Sequence, residues 1–237
     1  MSLLYLVRHG QADRLGKNYD QLTEHGWKQA KLLGDYFKSQ RIEFDSVYTG
    51  TLNRQKQTAQ GIIESFINDR FCIPDPVENS AWDEFDSKMW LGLAAKIRHA
   101  NINFAKLYES YKKAWEEGKE ETRDYFQELI QIVLNDWVHG VWDPVEPYTF
   151  QEYVEKVSFG PKDIPRNVKS TLVVSSSTPI AIMMGLSCKM SPVEFPVFMK
   201  SITNSSLSIF RREKDHWEPV SWNNTPHLQD PDLVTLV

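Results

Sequence analysis

Leu3-Leu4-Tyr5-Leu6-Val7 runs straight into Arg8-His9-Gly10. A short apolar run closed by a glycine reads as a strand buried on both faces. Such strands belong to parallel sheets covered by helices. The run also delivers an arginine and a histidine together to the strand's C-terminal end. In open α/β sheets that is the edge where ligands bind.

The later chain repeats the alternation. Thr23 is an N-cap for a helix whose apolar face is Trp27, Ala30, Leu33 and Phe37. Ser46 to Thr49 reads as a second strand ending at Gly50. A helix capped by Thr51 or Asn53 follows, with Ala59, Ile62, Ile63, Phe66 and Ile67 on one face. Arg54 falls in its first turn, where a positive charge opposes the helix dipole. Cys72-Ile73 reads as a short third strand. From about 91 to 140 the chain is charged, aromatic and helical, with a break near Gly118, and Phe150, Tyr153 and Val157 mark a returning helix. Thr171 to Ser175 is a late strand, followed by Ser176-Ser177-Thr178-Pro179, a helix start with proline expected at the first position. Ser191-Pro192-Val193-Glu194 fits a capping box. Leu207 to Phe210 and Trp217 to Trp222 read as antiparallel edge strands around a turn at Lys214-Asp215. The fold class expected is α/β: a three-layer α/β/α sandwich with a mostly parallel central sheet and a helical insertion at about 91–140.

Composition excludes more than it assigns. With 237 residues, 41% hydrophobic and 25% charged, the chain has enough apolar material for a full core. A net charge of −5 argues against a nucleic-acid partner, although two arginines can still dominate one small pocket. No apolar run is long enough to span a membrane. The chain opens directly on a strand, and Cys72 and Cys188 have no metal or redox spacing. Both thiols are expected to be reduced and buried, in a cytoplasmic protein.

Arg8-His9-Gly10, the Leu22-Thr23 and Gly26 positions, Gln29-Ala30, and Arg54 followed by Gln57-Thr58-Ala59 form an ordered set. Together they resemble the histidine phosphatase superfamily, the phosphoglycerate mutase-like fold, over most of the chain. Gln11-Ala12 and Tyr19-Asp20-Gln21-Leu22-Thr23 resemble a bacterial branch of it. The resemblance implies a single domain over 1–237, with the helical stretch as an insert or cap. It also implies that His9 attacks phosphorus to form a phosphohistidine, while Arg8 and Arg54 hold the phosphoryl oxygens. The chemistry is sound. A neutral imidazole is a nucleophile near pH 7, neighbouring cations disfavour its protonation, and guanidinium forks match phosphate. Gln11, Ser176 and Ser177 are expected as further substrate-binding positions.

A general acid is also implied, and Glu84 in Trp82-Asp83-Glu84-Phe85 stands in the expected region, with Asp83 and Asp86 as rivals. The sequence departs from the family where a second histidine normally comes after the later strand, because Ser176 stands there. Gly50 likewise stands where a serine is common. A serine can donate to phosphate but brings no positive charge. Losing one oxyanion donor typically costs about 3 kcal/mol of transition-state stabilisation. On sequence alone, Ser176→His is expected to raise turnover if the missing histidine limits catalysis, and to leave it unchanged if the site has another solution. His25, His99, His139, His216 and His227 show no paired metal-ligand spacing, and His227 is not expected to reach Ser176. No metal or other cofactor is expected. Two functions are compatible with these residues. One is a phosphohydrolase for phosphate monoesters, on small phosphorylated substrates or phosphoproteins, with mutase activity ranked lower. The other is a weak or inactive member that binds a phosphorylated ligand or protein partner. Oligomeric state is left open.

Overall fold

A computed structural model describes residues 1–13, 20–67, 73–199 and 201–236. Cys72 and most of the loop from Gln11 to Gln21, including Gly16, lie outside them. The chain divides into two compact units, Met1–Glu84 with Lys156–Val237, and Phe85–Glu155.

The first unit is built on a six-stranded sheet. Its strands are β1 (Leu3–Arg8), β2 (Ser46–Thr49), β3 (Val77–Glu78), β4 (Ser170–Ser175), β5 (Leu207–Glu213) and β6 (His216–Asn224), in the order β3-β2-β4-β1-β5-β6. The first four pair in parallel, and β5 and β6 add antiparallel at one edge. The register runs from Leu3 beside Ser170 to Arg8 beside Ser175. The two most apolar strands therefore end side by side, and His9 leaves the sheet next to Ser176.

Alternate residues of each strand face opposite layers. Tyr5, Val7, Val47, Leu172 and Val174 pack with α1 (Glu24–Ser39) through Leu33 and Phe37, and with α2 (Asn53–Glu64) through Ala59 and Ile62. Leu4, Leu6, Val173 and Phe210 pack with Trp82, Ile164 and, on α7 (Ser177–Ser187), Ile180, Ala181 and Met183. Each fully buried aliphatic side chain contributes roughly 2 kcal/mol. A one-residue slip of β1 would exchange its two faces, so the register is strongly specified. The three-layer expectation holds.

Thr23 caps α1 as expected, its hydroxyl accepting from Gly26 N at 3.1 Å. Three details differ. The cap of α2 is Leu52, which has no polar side chain. The carboxylate of Asp20 serves instead, accepting from Asn53 N at 2.9 Å. The third strand is Val77–Glu78 beside β2, and Ile73, next to two prolines that interrupt any ladder, lies outside it. Helix α7 starts two residues before Pro179, with Ser176 as N-cap, so the proline sits at the third helical position. That position is still among the N–H groups without an intrahelical partner, so proline loses nothing there. Cys188 is exposed, contrary to the expectation of a buried thiol, because it follows the last turn of α7 rather than lying on its packed face. The edge strands and their turn at Lys214-Asp215 are as expected, with Lys214 at φ 55°.

In the second unit, α3 (Ser87–Ala100), α4 (Ile102–Glu116) and α5 (Thr122–Val138) enclose Met89, Leu93, Ile97, Phe104, Leu129 and Val133. Trp137 packs edge-on to Phe150, with ring centroids 5.1 Å apart. Gly118, at φ 64°, takes the left-handed turn after α4. Asn101 makes a second break, ending α3 and capping α4 through bonds from Asn103 N and Phe104 N. This unit starts before and ends after the 91–140 stretch. The chain returns to the first unit within α6 (Phe150–Lys162). Among the described residues, no helix is long and apolar enough to cross a membrane.

Candidate active site

The register of β1 and β4 places His9 beside the start of α7, and its backbone is held on both sides. His9 N donates to Ser175 O at 2.9 Å, and Ser205 N and Asn204 Nδ2 donate to His9 O at 3.2 and 3.3 Å. Gly10 N donates to Thr58 Oγ1 at 3.0 Å, and Thr58 donates in turn to Arg54 O at 2.7 Å. Gly10 is a matter of space. A Cβ there would lie 2.5 Å from Gly26 O, and one on Gly26 would lie 2.2 Å from Gln11 O. The loop after β1 therefore lies flat on the first turn of α1, and only two glycines permit that approach.

His9 is buried, and its two ring nitrogens have different partners. Nδ1 is 2.7 Å from Gly10 O, a carbonyl that can only accept, so Nδ1 carries the proton. Nε2 then presents its lone pair, and Arg54 Nε donates to it at 3.2 Å. Both contacts require the same neutral tautomer. Arg54 is also buried, and its Nη1 forms an ion pair with Asp20 at 2.8 Å. Asp20 thus offsets the charge that the α2 dipole disfavours and aims the guanidinium at His9. Arg8 is buried next to His9 and donates through Nη1 to the Ile202 carbonyl. His9 and Arg54 are therefore brought together, with Arg8 next to His9 in the chain and bonded to Ile202.

The neighbouring strand end is neutral. Ser176 is fully buried, and Gln55 Nε2 donates to its hydroxyl at 2.9 Å. The same amide donates to Trp82 O at 2.9 Å, and its Oε1 accepts from Leu52 N at 3.2 Å. Gly50 makes room, since a Cβ there would lie 2.0 Å from Gln55 Oε1.

The acidic loop separates its three carboxylates by role. Asp83 accepts from Thr51, with the hydroxyl at 2.8 Å. Asp86 caps α3 through Lys88 N at 2.7 Å. Glu84 is half-buried, and its Oε2 accepts from Ser177 Oγ at 3.2 Å and Thr178 N at 3.3 Å, at the start of α7. Gln11 serves the loop, its Oε1 accepting from Thr23 Oγ1 at 2.8 Å. His227 does not reach Ser176. Its Nε2 is 2.7 Å from Ser205 Oγ, and burial pushes its pKa down to about 4.

Asp20, Gln55 and the Asn204-Ser205 pair went unmarked as site residues in the sequence. Asp20 belonged to a noted spacing, and a buried arginine in a first helical turn does ask for an acid. Nothing in the sequence says that residue 20 supplies it.

Known proteins resemble this chain in sequence and in fold. The model of the histidine phosphatase superfamily, branch 1, matches residues 4–135. A 2,3-bisphosphoglycerate-dependent phosphoglycerate mutase of Parvibaculum lavamentivorans is 34% identical over 91 residues, 36% of this chain and 42% of its own length. The same enzyme of Bartonella bacilliformis is 36% identical over 89 residues, 35% and 42% of the two chains. The matched stretch thus spans about two-fifths of these curated relatives. Two solved structures share the fold. Phosphoserine phosphatase from Entamoeba histolytica, in complex with 3-phosphoglyceric acid, has a TM-score of 0.61 at 18% identity, covering 96% of this chain and 100% of its own. Phosphoglycerate mutase from Bacillus anthracis has a TM-score of 0.62 at 15% identity, covering 96% and 95%. With the family match extending through β1, His9, Arg54 and Glu84, the chain belongs to the histidine phosphatase superfamily.

Proposed function

We propose that this chain is a phosphohydrolase acting on phosphate monoesters through a phosphohistidine at His9. The observation that carries this reading is the pair of contacts on the His9 ring. A carbonyl holds the Nδ1 proton at 2.7 Å, and the Arg54 guanidinium lies 3.2 Å from Nε2. Nε2 attacks phosphorus, and the bond from phosphorus to the ester oxygen breaks in line. Glu84 delivers a proton to that departing oxygen. Water then attacks the phosphohistidine, the P–N bond breaks, Glu84 takes the water's proton, and inorganic phosphate leaves. Arg8 and Arg54 bind the phosphoryl oxygens, as does Ser176 beside His9.

Glu84 is preferred as the acid because Asp83 and Asp86 are held by Thr51 and by the start of α3. The groups that hold Glu84, Ser177 Oγ and Thr178 N, are ones a phosphoryl oxygen would also take. Substrate therefore competes for them and turns the carboxyl toward the leaving oxygen. Substrates are small phosphorylated molecules or phosphoproteins. Mutase action ranks below hydrolysis, although the matched relatives are mutases. The neutral end of β4 favours a second reading, a chain that binds phosphorylated ligands with weak turnover.

A reaction with a ³²P-labelled monoester, quenched in alkaline detergent, is expected to leave on the protein a label that is stable in base and lost in acid. His9→Ala should remove that label and lower turnover roughly 10⁴-fold or more. Phosphate binding with no label and no turnover across a broad ester panel would establish the binding reading instead.

A further inference from the structure

The fully buried amide of Gln55 lies between three segments of the first unit. Its NH₂ group reaches Ser176 Oγ and Trp82 O, and its oxygen takes Leu52 N, so both amide protons and one lone pair are used. Trp82 O also accepts from Ser175 Oγ at 2.7 Å. Two residues beyond Trp82 comes Glu84, on the start of α7. One residue before Gln55 comes Arg54, on His9. Gln55 therefore sits where the geometry of the acid, the cation and the end of β4 is set together.

The residues around it leave this place open. Gly50 has no side chain to fill the space of Gln55 Oε1. As N-cap of α7, Ser176 would ordinarily bond the N–H of the second or third helical residue. Here the second, Thr178, gives its N–H to Glu84, and the third is Pro179, which has none. The Ser176 hydroxyl makes no capping bond and is turned to Gln55.

We propose that Gly50, Gln55 and Ser176 are one interdependent unit, in which Gln55 is a positioning residue that sets both the neutral side of the phosphate pocket and the placement of Glu84. The proposal rests on the reading of His9 and Arg54 as a phosphoryl site. It corrects the expectation for Ser176→His. An imidazole at 176 reaches beyond the hydroxyl into the volume that the Gln55 amide occupies, so a second cation enters only when Gln55 is shortened as well.

The test is a cycle of four proteins: the parent, Gln55→Ala, Ser176→His and the double variant. Binding of inorganic phosphate is measured by calorimetry across pH, and stability by urea unfolding. Ser176→His alone should bind phosphate no better than the parent and unfold at lower urea. The double variant should bind about tenfold tighter than Ser176→His, with an affinity that falls as pH rises through the ordinary imidazole range near 6.5. That pH response is one that mere repair of packing would not produce. Independent, additive effects on stability would overturn the unit even with phosphate bound. Coupled stability with phosphate bound by none of the four would overturn the pocket reading and leave the unit standing.

Gln55→Ala alone provides a second measurement should the double variant not fold. Its loss of kcat should be about tenfold larger for an alkyl phosphate, whose leaving oxygen needs a proton, than for p-nitrophenyl phosphate, with KM changed less in both. Equal losses on the two esters would overturn the positioning role.

Discussion

Two parallel strands end side by side in this sheet and finish very differently. β1 ends in a buried imidazole aligned by a carbonyl and a guanidinium, with Asp20 behind the guanidinium. β4 ends in a buried hydroxyl aligned by an amide. Both ends are hydrogen-bonded to side chains on α2, one turn of which supplies Arg54 and Gln55. The difference is charge. Buried polar groups need partners in either case, so satisfaction of hydrogen bonds does not distinguish a reactive strand end from a quiet one. On the proposed function, an imidazole with a defined tautomer does.

The comparison can be broken at its charged end first. Arg54→Ala is expected to lower kcat/KM about 10³-fold, whereas Ser176→Ala should lower it about tenfold or less, measured on the same monoester. Equal losses would mean that the end of β4 carries as much of the catalysis. Glu84→Gln should come next, with a loss of roughly 10²-fold in kcat on alkyl phosphates and little change on p-nitrophenyl phosphate. A uniform loss on both would return Glu84 to the role of a helix cap. Asp20→Asn should cost about tenfold in kcat/KM by slackening Arg54, and a full Arg54-sized loss would show that Asp20 does more than aim it.

A separate effect is on stability rather than rate and concerns the support behind His9. Ser205, which donates to His9 O, is bonded to the buried His227. The folded pKa of His227, about 4, lies below the ordinary 6.5, because burial disfavours the charged ring. Between those values the unfolded chain binds a proton that the folded chain does not, so stability falls as pH drops from about 6.5 to 4 and is unaffected above that window. The shift corresponds to roughly 3 kcal/mol at its full extent. Replacement by an uncharged residue, His227→Gln, should flatten the slope of urea stability over that range. An unchanged slope would place the acid sensitivity elsewhere.

Much of the fold was legible because burial leaves a periodic trace. The run at β1, the i, i+3, i+4 faces of α1 and α2, and the late run at β4 all come from residues that must face a core. Local chemistry was legible as well, as at Thr23 and the Lys214-Asp215 turn. The misses occurred where a distant group replaced a local one. Leu52 looks like no cap, and none was needed because Asp20 supplies the oxygen. Val77–Glu78 is two exposed residues, with no apolar pattern to find, and is a strand only because β2 offers it an edge.

His9, Arg8 and Arg54 could be named from the chain because their setting is local. An apolar strand must end, and the residues that close it lie at the sheet's C-terminal edge. The sequence by itself thus determined the fold class and brought His9, Arg8 and Arg54 forward as candidate site residues. The tautomer of His9, the tie of Arg54 to Asp20 and the closure of Gln55 on Ser176 were decided by the tertiary structure alone. Each joins residues remote along the chain except the His9–Gly10 contact, and even that depends on Gly10 lying against Gly26. Hydrogen bonds of this kind depend on distances of a few ångströms set by strand register and helix packing, which residue spacing does not encode.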